Sequence, residues 1–493
     1  MNKLVALVSC VVCLSGATAQ AQTRQEVTLA DALRTAVAHN PRLAGRFADV
    51  AIANARVLEA KGLDDFFVDG SGSWTRTRAD NVEAQTVPFT PYDRIGLAAS
   101  LTRPFSTGGS VALKLDAPYV RRAVSGFAPS DANLVLSEAY MPSVQLALTQ
   151  PLLRGRGYDV ARAKARLADA DHSVASRTLV AEASGLVRDV AHAYWELAYA
   201  TGAVELRREA LEATREQLRA VMAQIDVGKQ SPSGSAEVEV SVAVREEELI
   251  DAQRELTQRS ANLGRLLGQE APASFSAAEK PEVLAAARGD VLGRALARNA
   301  EIRALHAQAM AAGIDIDVAE SALLPQFDVY ASGGALGMAA DPQQALSNLG
   351  SFGGYTVQAG FVFQEPIERR TQRGQRDAAI ERARKARLAE EDARTRVAND
   401  VAGALAALDS TQRRVAVLVH AVEVADLDLS AERARFQANR STNFDVLRRQ
   451  QSATDVRLRL LRAEVENAKA AATLDALTTD ILARHGIALK GTP

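Results

Sequence analysis

Val160–Asp226 reads VARAKARLADADHSVASRTLVAEASGLVRDVAHAYWELAYATGAVELRREALEATREQLRAVMAQID. It contains no proline, and its glycines, Gly185 and Gly202, stand far apart. Alanine, leucine, arginine and glutamate, the strongest helix formers, fill it. The stretch predicts one helix of roughly 67 residues, about 100 Å long at 1.5 Å per residue. Helices of globular proteins average about 10–14 residues, so this rod does not fit inside an ordinary compact domain. A second rod, Glu368 to Ala438, reads the same way. The chain is organised around these two.

Just before the first rod, Ser143–Gln150 alternates as a strand does. Val144, Leu146 and Leu148 fall on one face, Gln145, Ala147 and Thr149 on the other, and Pro151 closes it. Before the second rod, Tyr355 to Phe363 alternates, with Val357, Ala359, Phe361 and Phe363 on one face and Glu365-Pro366 at its end. Further upstream, Thr28 caps a helix expected to run to Leu63. Strand-like residues begin at Phe66, and Ile95–Pro104 and Ser110–Leu115 flank Thr107-Gly108-Gly109 as a hairpin would. The first rod ends in a short loop, Gly228–Ser235. A return helix, Ala236–Leu267, follows, then a linker, Gln269–Gly289.

The plan then repeats. A helix is expected over Asp290–Leu324, strands over 325–364, the second rod, a loop at Asn439–Asn443 and a return helix from 442 to 484. Asp31, Leu33, Ala36, Asn40 and Asp69 recur at constant spacing as Asp290, Leu292, Ala295, Asn299 and Asp328. Such a recurrence is the mark of a duplicated unit. The domain division that follows is 1–19, 20–289 and 290–493.

Residues 1–19 read as a secretory signal: Lys3, the apolar run Leu4–Leu14, and Ala17-Thr18-Ala19. Both cysteines, Cys10 and Cys13, lie inside it, so a processed chain holds no disulfide or thiolate site. Leu7-Val8-Ser9-Cys10 also has the form of a lipidation box. The net charge of −2 points to no strongly charged partner, nucleic acid included. Six scattered histidines have no metal-ligand spacing, and no catalytic constellation or cofactor motif appears; an enzyme is not expected. No apolar run reaches 18 residues, so any membrane crossing would have to be a closed β-barrel. Two strands per repeat are too few, since the smallest membrane barrels have about eight. Three copies would give twelve, with Val144, Leu146, Leu148, Val357, Phe361 and Phe363 toward lipid. A soluble β-sandwich cap is the alternative on pattern alone. The hairpin around 95–115 is additional to this plan. It would extend an extracellular cap or lengthen barrel strands; enlarging a trimeric barrel to 18 strands is the least favoured placement.

Leu148-Thr149-Gln150-Pro151-Leu152, Leu323-Leu324-Pro325-Gln326-Phe327 and Arg440-Ser441-Thr442-Asn443-Phe444-Asp445-Val446-Leu447, in this order within a duplicated helical chain, resemble the TolC-like outer membrane factor family over nearly the whole mature sequence. The resemblance implies a homotrimer with a 12-stranded barrel in the outer membrane and a 12-helix tunnel in the periplasm. It implies a passive export duct for a tripartite efflux pump or type I secretion system. The partners would be a periplasmic adaptor and an inner-membrane pump of RND, ABC or similar type. A periplasmic adaptor or a structural coiled-coil protein is the competing reading. The resemblance also implies adaptor-docking tips at Gly228, Ser231, Pro232, Asn439, Arg440 and Thr442, and a periplasmic gate at Asp445 and Arg448. Three departures stand out. Phe66 occupies a position where Pro325 leads one to expect proline, Asn439 replaces the usual glycine, and Arg448 replaces the second of two acids three residues apart.

Overall fold

The computed structural model describes residues 24–77, 92–122, 138–226, 233–269, 274–283, 289–438 and 440–489. The segment read as a signal, Cys10 included, lies outside them. The first repeat runs β1 (Gln25–Val27), α1 (Leu29–His39), α2 (Pro41–Lys61), β2 (Phe67–Thr77), β3 (Tyr92–Pro104), β4 (Ser110–Asp116), β5 (Tyr119–Arg122), β6 (Glu138–Tyr140), β7 (Ser143–Pro151), the single turn α3 (Tyr158–Ala161), α4 (Ala163–Asp226), α5 (Ser233–Leu266) and β8 (Phe275–Ala277). The second runs α6 (Val291–Arg298), α7 (Ala300–Ala322), β9 (Gln326–Leu336), α8 (Pro342–Gly350), β10 (Gly354–Gln364), α9 (Arg370–Gln437), α10 (Asn443–Leu477) and α11 (Asp480–Arg484). The two rods, α4 and α9, have 64 and 68 residues.

Two units emerge, each drawing on both repeats. One comprises Met1–Pro41, Ser184–Gly289 and Val401–Ile487; the other comprises Arg42–Ala183, Asp290–Asp400 and Ala488–Pro493.

In the first unit, Tyr194, Leu197, Leu256, Leu263, Phe275 and Ile481 are fully buried. The segment expected as a bare linker holds β8, which pairs in parallel with β1 from Gln25↔Phe275 to Val27↔Ala277. Phe275 holds β8 there: its ring is buried and its N–H donates to Ser260 Oγ at 2.6 Å. The helix expected to run unbroken from Thr28 is also divided. Asn40 takes an extended conformation between α1 and α2, as a residue before proline must. The matched Asn299 divides α6 from α7 with no proline beside it. There the side chain accepts from the N–H groups of Glu301 and Ile302, capping α7. The asparagine is therefore the feature common to both breaks.

The second unit carries the sheet. Its order is β10-β9-β7-β4-β3, with β2 on the far side of β3. β5 and β6 prolong β4 and β7 beyond Ala117-Pro118 and Met141-Pro142. Register is unbroken across both interruptions: Ala98↔Asp116 leads to Ile95↔Tyr119, and Asp116↔Ser143 leads to Tyr119↔Tyr140. Among the described residues one chain thus supplies six antiparallel strand positions where four were expected. The difference lies in the hairpin of β3 and β4, which is inserted between β2 and β7 instead of standing apart.

Candidate functional site

The sheet has two chemically distinct faces. Residues directly paired across antiparallel strands share a face. Leu146 pairs with Gly333, which pairs with Val357; Gln150 pairs with Val329, which pairs with Phe361; Phe327 pairs with Phe363. Register therefore places Val144, Leu146, Leu148, Val357, Phe361 and Phe363 on one face. Leu146, Val357, Phe361 and Phe363 each keep more than half their side-chain surface exposed. Phe327 packs its ring against Phe361 and Phe363, with centroids 5.7 and 6.5 Å apart. The opposite face is polar: Gln145 Nε2 donates to Ser332 Oγ at 2.9 Å. Among the described residues no helix is long and apolar enough to cross a membrane.

The ends of α4, α5, α9 and α10 near the two short loops form the second candidate region, within the first unit. Val221, Val238, Phe436 and Val446, one from each helix, make a buried cluster flanked by Leu218, Ile225 and Leu447. Gln217 Nε2 donates to Asn443 Oδ1 at 2.9 Å, tying α4 to the start of α10. The turn entering α10 is held from both sides. Buried Glu432 accepts from Ser441 Oγ and pairs with Arg435 at 3.0 Å, while the Arg440 N–H donates to the Arg435 carbonyl. Thr442 is the N-cap: its Oγ accepts from Asp445 N at 3.2 Å and donates to Asp445 Oδ2 at 2.6 Å.

That geometry gives Asp445 a definite job. It closes a capping box at the start of α10, where the helix dipole also favours an anion. The Thr442 hydrogen bond, aided by Arg449 and Arg448, holds its carboxyl below the usual range. Arg448 is exposed, and Arg449 pairs with Asp428 at 3.0 Å. Of the expected tip residues, Arg440 and Thr442 are described and exposed; Gly228, Ser231, Pro232 and Asn439 lie outside the described residues. Sequence reasoning missed Glu432 and Gln217, whose partners are remote or across the turn. The Thr-x-x-Asp spacing of Thr442 and Asp445 was open to it as a capping signature.

A third cluster lies in the same unit. Glu196 on α4 meets Lys469 at 2.5 Å, Arg462 at 2.9 Å and Arg259 at 3.6 Å. Burial alone would raise its pKa, but Lys469 and Arg462 lower it overall. These contacts join α4, α5 and α10 through one carboxylate. Among the described residues no group of three or more acids, histidines or cysteines is placed to hold a metal.

The sequence matches the family described as outer membrane efflux protein over residues 32–269 and 291–479. No curated protein matches it. Solved structures do. The outer membrane protein VceC from Vibrio cholerae is 19% identical, with a TM-score of 0.66 over 91% of this chain and 96% of that one. The outer-membrane channel OprN is 17% identical, with a TM-score of 0.68 over 92% and 89%. The outer membrane channel CmeC from Campylobacter jejuni is 14% identical, with a TM-score of 0.64 over 97% and 93%. At these identities the likeness is one of fold.

Proposed function

The chain belongs to the outer membrane efflux protein family, and from that premise we propose how its parts divide the work. It is an outer-membrane export channel subunit, a passive duct and not an enzyme. Family membership implies trimer assembly and docking with an adaptor and an inner-membrane pump. The reading as an adaptor or a purely structural coiled coil is not favoured. The finer assignments are ours. The apolar sheet face carrying Leu146 and Phe361 meets outer-membrane lipid. Asp445 and Arg448 form the periplasmic gate, and Arg440 and Thr442 belong to the tip that docks the adaptor. The pump it serves is of RND, ABC or similar type.

The observation that most supports this division is a sheet face dominated by exposed apolar side chains in a chain whose described helices include none long and apolar enough to cross a membrane. Barrel strands alternate apolar outward and polar inward in this way. The test is fractionation with export in a strain lacking the chromosomal copy. The expected result is an outer-membrane, heat-modifiable trimer that restores export. Recovery in the soluble periplasm would overturn the reading. Loss of export on deleting one pump type alone would identify the partner.

A further inference from the structure

We propose that the inserted hairpin, β3 and β4, is part of the transmembrane wall, so that the trimer closes an 18-stranded barrel and not a 12-stranded one. The inference rests on the export-channel reading above. Its grounds are register and face. β4 is hydrogen-bonded to β7 over seven residue pairs, Ser110↔Thr149 to Asp116↔Ser143, and β3 is bonded to β2 over eleven, Phe67↔Thr102 to Thr77↔Tyr92. The hairpin therefore occupies the ladder positions that β2 and β7 would otherwise offer each other.

The hairpin also carries the apolar row at the level of Leu146 across to β2, with Arg103 nearer the turn on the same face. Leu146 pairs with Leu113, Leu113 with Leu101, and Leu101 with Val68. Leu97, Leu101, Leu113 and Leu115 are all exposed. On the reverse face, Ser100 Oγ reaches Asp69 at 3.4 Å, and Lys114 lies opposite Gln145. An extracellular cap in water would not keep four leucines exposed on one side, in step with the face already assigned to lipid.

Two further features fit a wall strand. The turn at the base of the hairpin is locked to the junction leading into α4. The Gly157 N–H donates to the Thr107 carbonyl at 3.2 Å, Thr107 Oγ donates to Gln150 Oε1 at 3.0 Å, and a Cβ on Gly108 would strike the Gly155 carbonyl. The parity is also right. Among the described residues, six alternating strands per chain leave β2 and β10 as opposite-running edges, each paired on one side. Neighbouring copies can then close antiparallel throughout, as bacterial barrels do with even strand numbers. Barrel diameter grows roughly linearly with strand number. The outer-membrane bore would then be about 1.5 times that of a twelve-stranded barrel.

The test uses the full-length trimer in liposomes with single spin labels at L101C, L113C, T102C and A112C, and L146C as the reference. Accessibility to oxygen in the lipid and to a nickel chelate in water is read at each site. The expected result is that L101C and L113C match L146C in favouring oxygen, while T102C and A112C reverse toward nickel. The double variant L113C/L146C is expected to form a disulfide within one chain. Nickel accessibility at all four hairpin sites with L146C still in lipid, or no disulfide in a native trimer, overturns the 18-strand wall alone. A water-exposed L146C, or a mass other than a trimer, overturns the export-channel reading on which it rests.

Discussion

Thr442 and Asp445 hold the start of α10 through paired hydrogen bonds. The cap satisfies N–H groups that the first turn of α10 would otherwise leave bare. Thr442→Ala is expected to cost about 1 kcal/mol of stability, measurable by denaturant unfolding of the trimer. Asp445 has a lowered folded pKa. Its contribution is therefore present above the ordinary carboxylate pKa and is lost as pH falls through the folded value. If Asp445 and Arg448 also ring the gate, Asp445→Ala and Arg448→Ala will change single-channel cation selectivity in opposite directions. Unchanged conductance and selectivity in both would leave Asp445 as a cap only. His192 acts with the same sign as Asp445: burial lowers its pKa, with Nε2 facing the Lys469 carbonyl and Thr473. Stability should fall as pH drops below the ordinary imidazole range, and His192→Gln should flatten that part of the pH profile.

Among the elements, the helix ends carry the most information. Gly268 ends α5 with φ of 76°; the Gln269 N–H reaches back to the Gly264 carbonyl at 3.0 Å, a left-handed cap of the kind glycine favours. A side chain there would also collide with the His39 carbonyl. Gly268→Ala should therefore destabilise by more than the roughly 1 kcal/mol that a compatible glycine replacement would gain, read as a lower Tm of the trimer. Phe436 belongs to a buried cluster that joins the ends of all four long helices. Phe436→Ala should cost about 3–5 kcal/mol and should impair export while membrane insertion is retained. Normal export from that variant would place the docking surface elsewhere.

For the whole molecule, the sheet edges set the assembly. Among the described residues β2 and β10 each pair on one side only, and a bilayer does not tolerate open edges. Light scattering in detergent is expected to find a trimer, with no stable folded monomer on dilution; a folded monomer would contradict closure by neighbouring copies. Within the first unit, Glu196 draws three cations from two other helices to α4. Glu196→Gln should cost about 1–3 kcal/mol through weakened charged hydrogen bonds, without altering the sheet.

The two rods, the duplication and the alternating strands at Val144–Leu148 and Val357–Phe363 were all legible in the residues. Helical hydrogen bonds run from each residue to the fourth before it, so alanine, leucine and glutamate over a long proline-free run suffice to declare a helix. The face of a strand is likewise local, because its side chains alternate. The partner of a strand is not local. Nothing in Ser110–Asp116 by itself says that it lies beside Ser143–Thr149, and the same alternation would suit a separate hairpin. That choice is made by ladder bonds between distant segments, as is the pairing of Gln25–Val27 with Phe275–Ala277. Asn40 and Asn299 stood at matched positions in the sequence, and Pro41 marked the first break locally; the backbone partners that their side chains find are seen only in the folded chain. The periodicity along each element was written in the sequence; tertiary structure alone set the order of strands in the sheet, because pairing energy is realised only when distant segments meet.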